Sequence, residues 1–289
     1  MPVKGARSMS VWRRGSEVVW QAGLVLVCCL MPALAQPQRV VSMNLCTDQL
    51  ALMLAEPGQL ISVSYLAHDP DMSPLHDLAR ALPVNRGTAE DIVMLQPDLV
   101  LAGRFTTTAT VAMLERLGVP VIRFAPENSF ADVVAALRAM GAALGRAEAA
   151  EASVAQFEVD RAALRARIDA LPREEAALYY ARGFTGGQHS LANEILDAAG
   201  LDNLAAGLGF TYGGQIALET LVLMDPEKLI LGRRFAGWSE AQALLDHPAL
   251  RSLPAYTRGV GFSDADWVCG TPHVLQAALS LIKAREAPP

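Results

Sequence analysis

Polar, basic and aromatic side chains recur in this chain at the ends of short apolar runs. Asn44, Tyr65, His68, Arg86, Arg104, Phe105, Arg233, Trp238 and Trp267 lie in segments of this kind, and Tyr212 lies in the glycine-containing stretch 210–214. Flat aromatic faces suit a large conjugated or macrocyclic ligand. Guanidinium groups suit carboxylates, phosphates or an anionic chelate. Any one of these aromatics fits core packing equally well, so the set carries the reading and no single member does.

Other chemistries find less support. His189 and Ser190 are adjacent, but no G-x-S-x-G elbow surrounds the serine. The glycines at 183, 186 and 187 are not followed by the G-K-[ST] of a phosphate loop. Cys46 is a nucleophile only if it is unpaired. The five histidines, His68, His76, His189, His247 and His273, are scattered without ligand spacing. Direct zinc or manganese binding therefore stands as the alternative, with 68–71 (HDPD) the closest approach to a ligand set. No catalytic residue is assigned, and no covalently bound cofactor is expected.

The elements that would hold these side chains alternate. Runs at 39–43, 60–65, 98–102 and 120–124 read as buried strands, with helices at 49–55, 88–95 and 107–117 between them. Thr47 or Asp48 is the expected cap of the first helix, and Thr88 of the second. A strand at 176–180 restarts the pattern. Helices at 189–200, 216–224, 239–245 and 271–285 follow, with strands at 228–231 and 259–262. Between the two halves, 146–171 reads as one long helix after a break marked by Gly141 and Gly145. The fold class is α/β: two similar parallel-sheet lobes joined by one long α-helix, with a cleft between them. The expected division is 36–140, 141–174 and 175–289, after a leader at 1–35.

The leader has Arg13 and Arg14 before an apolar stretch that ends Ala33-Leu34-Ala35, a small-x-small cleavage pattern. Its removal takes the formal charge from −6 to −9. A chain so acidic is a poor nucleic-acid partner. Two cysteines remain after cleavage, Cys46 and Cys269. They either pair in an oxidising compartment or are two separate buried thiols, and the Cα separation that decides this is not in the sequence.

One pattern repeats. Glu90-Asp-Ile-Val-Met-Leu-Gln-Pro-Asp-Leu-Val-Leu-Ala-Gly-Arg104 overlays Glu219-Thr-Leu-Val-Leu-Met-Asp-Pro-Glu-Lys-Leu-Ile-Leu-Gly-Arg233. Each copy is a short helix, a proline stop and a buried strand, with a glutamate at the same turn of each helix.

With this echo, the 39–48 strand and loop and the bridging helix, the chain resembles class III periplasmic substrate-binding proteins. The resemblance implies capture of a corrinoid, a ferric siderophore or haem between two lobes. It also implies a monomer delivering that iron or cobalt chelate to an ABC permease and ATPase complex in the inner membrane. Glu90 and Glu219 match the glutamates that dock with permease arginines in that family. Each glutamate also suits the positive end of its helix. The 44–48 loop (NLCTD) departs from the serine- and glutamate-containing version in the family, which leaves the ligand open. A sensor or adaptor on the same fold is a further alternative.

Overall fold

The structure, a computed structural model, describes residues 36–232, 239–257 and 264–286. The expected leader, Arg233, Trp238 and the 259–262 strand lie outside the described residues.

Five strands build the first sheet: β1 (Val40–Ser42), β2 (Leu60–Ser64), β3 (Val84–Asn85), β4 (Leu99–Gly103) and β5 (Val121–Phe124). All pairs are parallel, in the order β3-β2-β1-β4-β5. Period-two alternation sorts the side chains. Val40, Leu99 and Leu101 face one core with the Leu45–Leu54 and Phe130–Leu144 helices. Val41, Val100 and Ala102 face another, with Ile92 of the Ala89–Met94 helix and Leu114 of the Thr108–Arg116 helix. The chain runs outward from β1 to β3 and then returns to β4 on β1's other side. Loops leaving β1 and β4 therefore diverge, which opens a crevice at their carboxyl ends.

The second half has β6 (Glu174–Tyr179), β7 (Phe184–Gly186), β8 (Leu201–Asn203), β9 (Gly213–Gln215) and β10 (Lys228–Leu231). β10, β6 and β8 form a parallel sheet, and β7 with β9 forms an antiparallel ribbon beside it. Ala176, Leu178 and Ile230 turn to the same core as the first sheet, whereas Ala177, Tyr179 and Leu229 meet Leu218 and Leu221 of the Leu218–Met224 helix.

The sequence echo is also an echo of structure. Gln96 and Asp225, each the residue before the proline, both adopt a left-handed backbone, at φ 49° and 45°. Side chains rarely accept that conformation, least of all before proline. The acid after each proline explains the next step. Asp98 accepts hydrogen bonds from the Gln38 and Arg39 amides at 2.7 and 2.9 Å, and Glu227 accepts one from the Glu175 amide at 2.9 Å. Each carboxylate thus holds the start of the neighbouring central strand, β1 or β6. Arg39 closes the Ala89–Met94 helix by donating to the Leu95 and Gln96 carbonyls.

Gly145, at φ 69°, ends the Phe130–Leu144 helix in a left-handed cap. The long helix then runs Ala147–Ile168, shorter than its sequence pattern suggested, with Arg165 and Arg167 in its last turn. Its 22 residues span about 33 Å. Phe157, Leu164 and Ile168 belong to one core that reaches Val40 and Leu101 at one end and Leu178, Ile195 and Leu281 at the other. The lobes are therefore joined by continuous packing as well as by chain. Cys46 and Cys269 are disulfide-bonded, with their Cα atoms 5.1 Å apart and a sequence separation of 223.

Closing a loop of that length restricts the unfolded chain by about 5 kcal/mol in the chain-entropy account. Replacing both cysteines with serine is expected to lower the unfolding free energy by up to about that amount, measured by denaturant titration against the oxidised protein. An unchanged midpoint would show that the packed core alone fixes the lobes.

Candidate functional site

A cavity of about 270 Å³ lies where the carboxyl-end loops of the first lobe meet the segment around the disulfide. Asn44 lines it from the loop after β1, Cys46 and Thr47 from the first turn of the Leu45–Leu54 helix, Gly103, Arg104 and Phe105 from the end of β4 and its loop, and Phe124 to Glu127 from the end of β5 and its loop. Across from them stand Leu191, Trp267, Val268 and Gly270. The lining is mainly apolar with a few polar groups, as small-molecule sites are. Phe105 is 86% exposed at its edge. Among the described residues the Arg104 guanidinium has no hydrogen-bond or ion-pair partner, while the Arg104 carbonyl accepts from Arg123 at 2.7 Å.

Buried hydrogen bonds hold these loops. Asn44 caps the first helix, its Oδ1 accepting from the amides of Cys46 and Thr47. The expected cap, Thr47 or Asp48, is a correction. Thr47 instead donates back to the Asn44 carbonyl at 2.9 Å, with its hydroxyl 2.8 Å from that of Ser42. Asp48 is fully buried and accepts from the amide and hydroxyl of Ser64, at the end of β2. Burial pushes the Asp48 carboxyl up to about 6, against the pull of its serine hydrogen bonds. The Asn85 amide group donates to the Ser42 carbonyl, the Ser62 hydroxyl and the Val63 carbonyl, at 2.8 to 3.0 Å. One web thereby ties the ends of β1, β2 and β3, because an unmade bond in such a place costs about 1–3 kcal/mol.

Glu127 escaped the sequence reading. Its carboxyl lies at the cavity wall, beside the Gly270 backbone. Burial pushes it up to about 7, an effect that the Glu127 and Gly270 backbone amides oppose and that Asp132 reinforces. Gly270 admits it, since a Cβ there would stand 2.2 Å from the Glu127 Cβ. The available signal was position: Glu127 follows a strand at its carboxyl end, as the residues that were singled out do.

The family model described as "Periplasmic binding protein" matches residues 40–260. The chain belongs to this family. A cobalamin-binding protein of Halobacterium salinarum is 29% identical over 234 residues, 78% of this chain and 62% of that protein. This chain thus spans less than two thirds of that relative's length. Among solved structures, the periplasmic heme-binding protein RhuT of Roseiflexus sp. RS-1 superposes with a TM-score of 0.70 at 22% identity, covering 86% of this chain and 98% of that one. The periplasmic vitamin B12 binding protein BtuF of Vibrio cholerae gives 0.64 at 17%, over 87% and 97%. At these identities the two structures show the fold.

In this periplasmic binding protein, Asn44, Arg104, Phe105 and Trp267 of the expected ligand set meet at one cavity. Tyr65, Arg86 and Tyr212 are exposed and outside its lining. His68 is turned away: its Nε2 lies 2.9 and 3.2 Å from the Ala79 and Leu82 carbonyls, which brace the loop after β2. Glu90 and Glu219 are exposed in the first turns of their helices, Ala89–Met94 and Leu218–Met224. Among the described residues, no three His, Cys, Asp or Glu side chains converge as a metal group.

Glu127 supplies a pH test. Folded, it keeps its proton to about pH 7; unfolded, it loses it near 4.5. The folded state binds more protons between these values, so its stability falls as pH rises through that window. Glu127→Gln is expected to remove this fall. The variant should match the wild type below about pH 4 and exceed it by up to about 3 kcal/mol at pH 8, in denaturant titrations at each pH. A constant difference across pH would refute the assignment.

Proposed function

We propose that this chain is the exported, periplasmic solute-binding component of an ABC importer, a binding protein and not an enzyme. It holds a metal chelate between its lobes and passes it to a membrane permease and ATPase complex, docking through Glu90 and Glu219. The observation that carries this reading is the cavity between the lobes, with its aromatic and apolar walls and Arg104 at its rim, in a member of the periplasmic binding protein family. Among chelates, the 29% identity to a cobalamin-binding protein puts a corrinoid first. A macrocycle exceeds a cavity of about 270 Å³, so part of it would rest on exposed aromatic surface at the rim such as Phe105.

Trp267 lines the cavity, which makes binding visible by fluorescence. Titrating the mature protein with cyanocobalamin, haemin and a ferric hydroxamate, with correction for ligand absorbance, is expected to give saturable quenching by cyanocobalamin at micromolar concentration or below. Phe105→Ala is expected to weaken it about tenfold. Saturation by haemin or the hydroxamate alone would keep the importer reading and replace the corrinoid. A response to zinc or manganese alone would remove the chelate.

Docking has its own test. Reversing both charges, Glu90→Arg with Glu219→Arg, is expected to abolish uptake by whole cells and leave the quenching titration unchanged. Unchanged uptake, or lost ligand affinity, would overturn the docking assignment.

A further inference from the structure

The two copies of the echo share more than a glutamate. Met94 follows Glu90 by four residues, and Leu223 follows Glu219 by four. Residues four apart lie on one face of a helix, one above the other. Met94 is 83% exposed and Leu223 85% exposed, and among the described residues only Phe105 of the large apolar side chains is more so. Isolated exposed apolar residues are ordinary. The same residue class at the same position of both copies, each beside a carboxylate, is not explained by that.

Folding does not call for either side chain. Ala89 and Ile92 carry the buried face of one helix, and Leu218 and Leu221 that of the other. The exposure of the intervening positions matches as well: Val93 and Val222 are both half-buried. Both helices pack on the outer side of their own sheet, away from the core the lobes share. Each lobe thus offers one outward patch made of a carboxylate and an apolar side chain.

We propose that this pair is the docking unit on each lobe, Glu90 with Met94 and Glu219 with Leu223. Its occupant is a membrane protein that presents an arginine or lysine flanked by an apolar socket at two like sites. The inference rests on the importer reading and goes beyond it by assigning the apolar half of the contact. Charge selects the occupant. A second copy of this chain would bring its own carboxylates to the same place. An anionic lipid surface would repel a chain of formal charge −6. A basic group is attracted, and an apolar contact beside the ion pair excludes water and strengthens the Coulomb term. The glutamates steer and set register, while Met94 and Leu223 slow dissociation.

The test uses fluorescently labelled mature protein and spheroplasts of the native host lacking its chromosomal copy. Wild-type binding is expected to saturate and to vanish when the spheroplasts are treated with protease. Met94→Gln with Leu223→Gln is expected to raise the half-saturating concentration at least about tenfold. Each single substitution should give part of that, and the swap Met94→Leu with Leu223→Met should bind like wild type. Melting temperatures of all variants should agree within about 2 °C, since these side chains are exposed. Glu90→Arg with Glu219→Arg separates the two layers of the argument. If charge reversal abolishes binding and the glutamine pair binds like wild type, the apolar assignment is wrong and the glutamate docking stands. If neither changes binding, or the wild type shows no saturable binding, both readings fall. Binding that survives protease treatment would identify a lipid surface and overturn the proposal.

Discussion

The constraint on which the rest depends is the apolar core that passes without a gap from one sheet, through the Ala147–Ile168 helix, into the other. Opening the lobes by a large hinge would expose side chains such as Phe157 and Ile168 to water, at about 1.5–3 kcal/mol for each large residue. The disulfide adds a second tie, on the cleft side. The Gly270 contact with Glu127 and the Thr271 hydroxyl, 3.5 Å from Gln49 Oε1, lie along the same seam. The cavity is thereby held between two bodies fixed from behind and from beside. Such a site selects its ligand by shape and keeps its entropy cost low, because little remains to be ordered when the ligand arrives.

Rigidity extends to the loops. A loop at the carboxyl end of a parallel sheet must satisfy its own backbone, and here Ser42, Thr47, Asp48, Ser62, Ser64 and Asn85 supply the partners from inside. All six are buried. The Asp48 carboxyl sits among neutral donors, and burial outweighs the hydrogen bonds that Ser42 and Ser64 make to it. That is the electrostatic cost of using a carboxylate as a double acceptor in a dry place.

Much of this was legible in the sequence. The strand–helix alternation and the echo rest on local signals, namely apolar runs and a proline at a fixed distance. The two thiols left after the leader kept both pairing and separate burial open, and the 5.1 Å Cα separation decides for the disulfide. What was not legible depends on contacts distant along the chain. Asn44, Thr47 and Asp48 are all good capping residues. Only the burial of Asp48 against Ser64, 16 positions away, decides among them. His68 read as a ligand because imidazoles often are. Its backbone partners lie 11 and 14 positions away, where no side-chain pattern advertises them. The long helix was drawn through to Leu171, since helix propensity does not mark where the last turn gives way. Glu127 was missed although the rule that found Arg104 also covers it, so there the reading fell short and the sequence did not.

The echo also explains how an outer face and an inner cleft can work together. The Ala89–Met94 helix leads through the left-handed Gln96 turn straight into β4, and β4 ends at Gly103, beside Arg104 and Phe105 at the cavity. The Leu218–Met224 helix leads through the matching Asp225 turn into β10, which ends one residue before Gly232. In the first lobe the proposed docking patch and the cavity-lining Arg104 and Phe105 are opposite ends of one helix–turn–strand unit, and the second lobe repeats that unit as far as Gly232. The unit is short, since a five-residue strand spans about 17 Å. Its turn is clamped by Asp98 in one lobe and Glu227 in the other, each bonded to the neighbouring central strand. A ligand that displaced β4 would move the outer helix of that lobe with it, because packed elements transmit displacement and absorb little of it. No large closure is needed for a partner to register whether the cleft is full. It has only to contact both outer helices at once and be sensitive to the spacing between them.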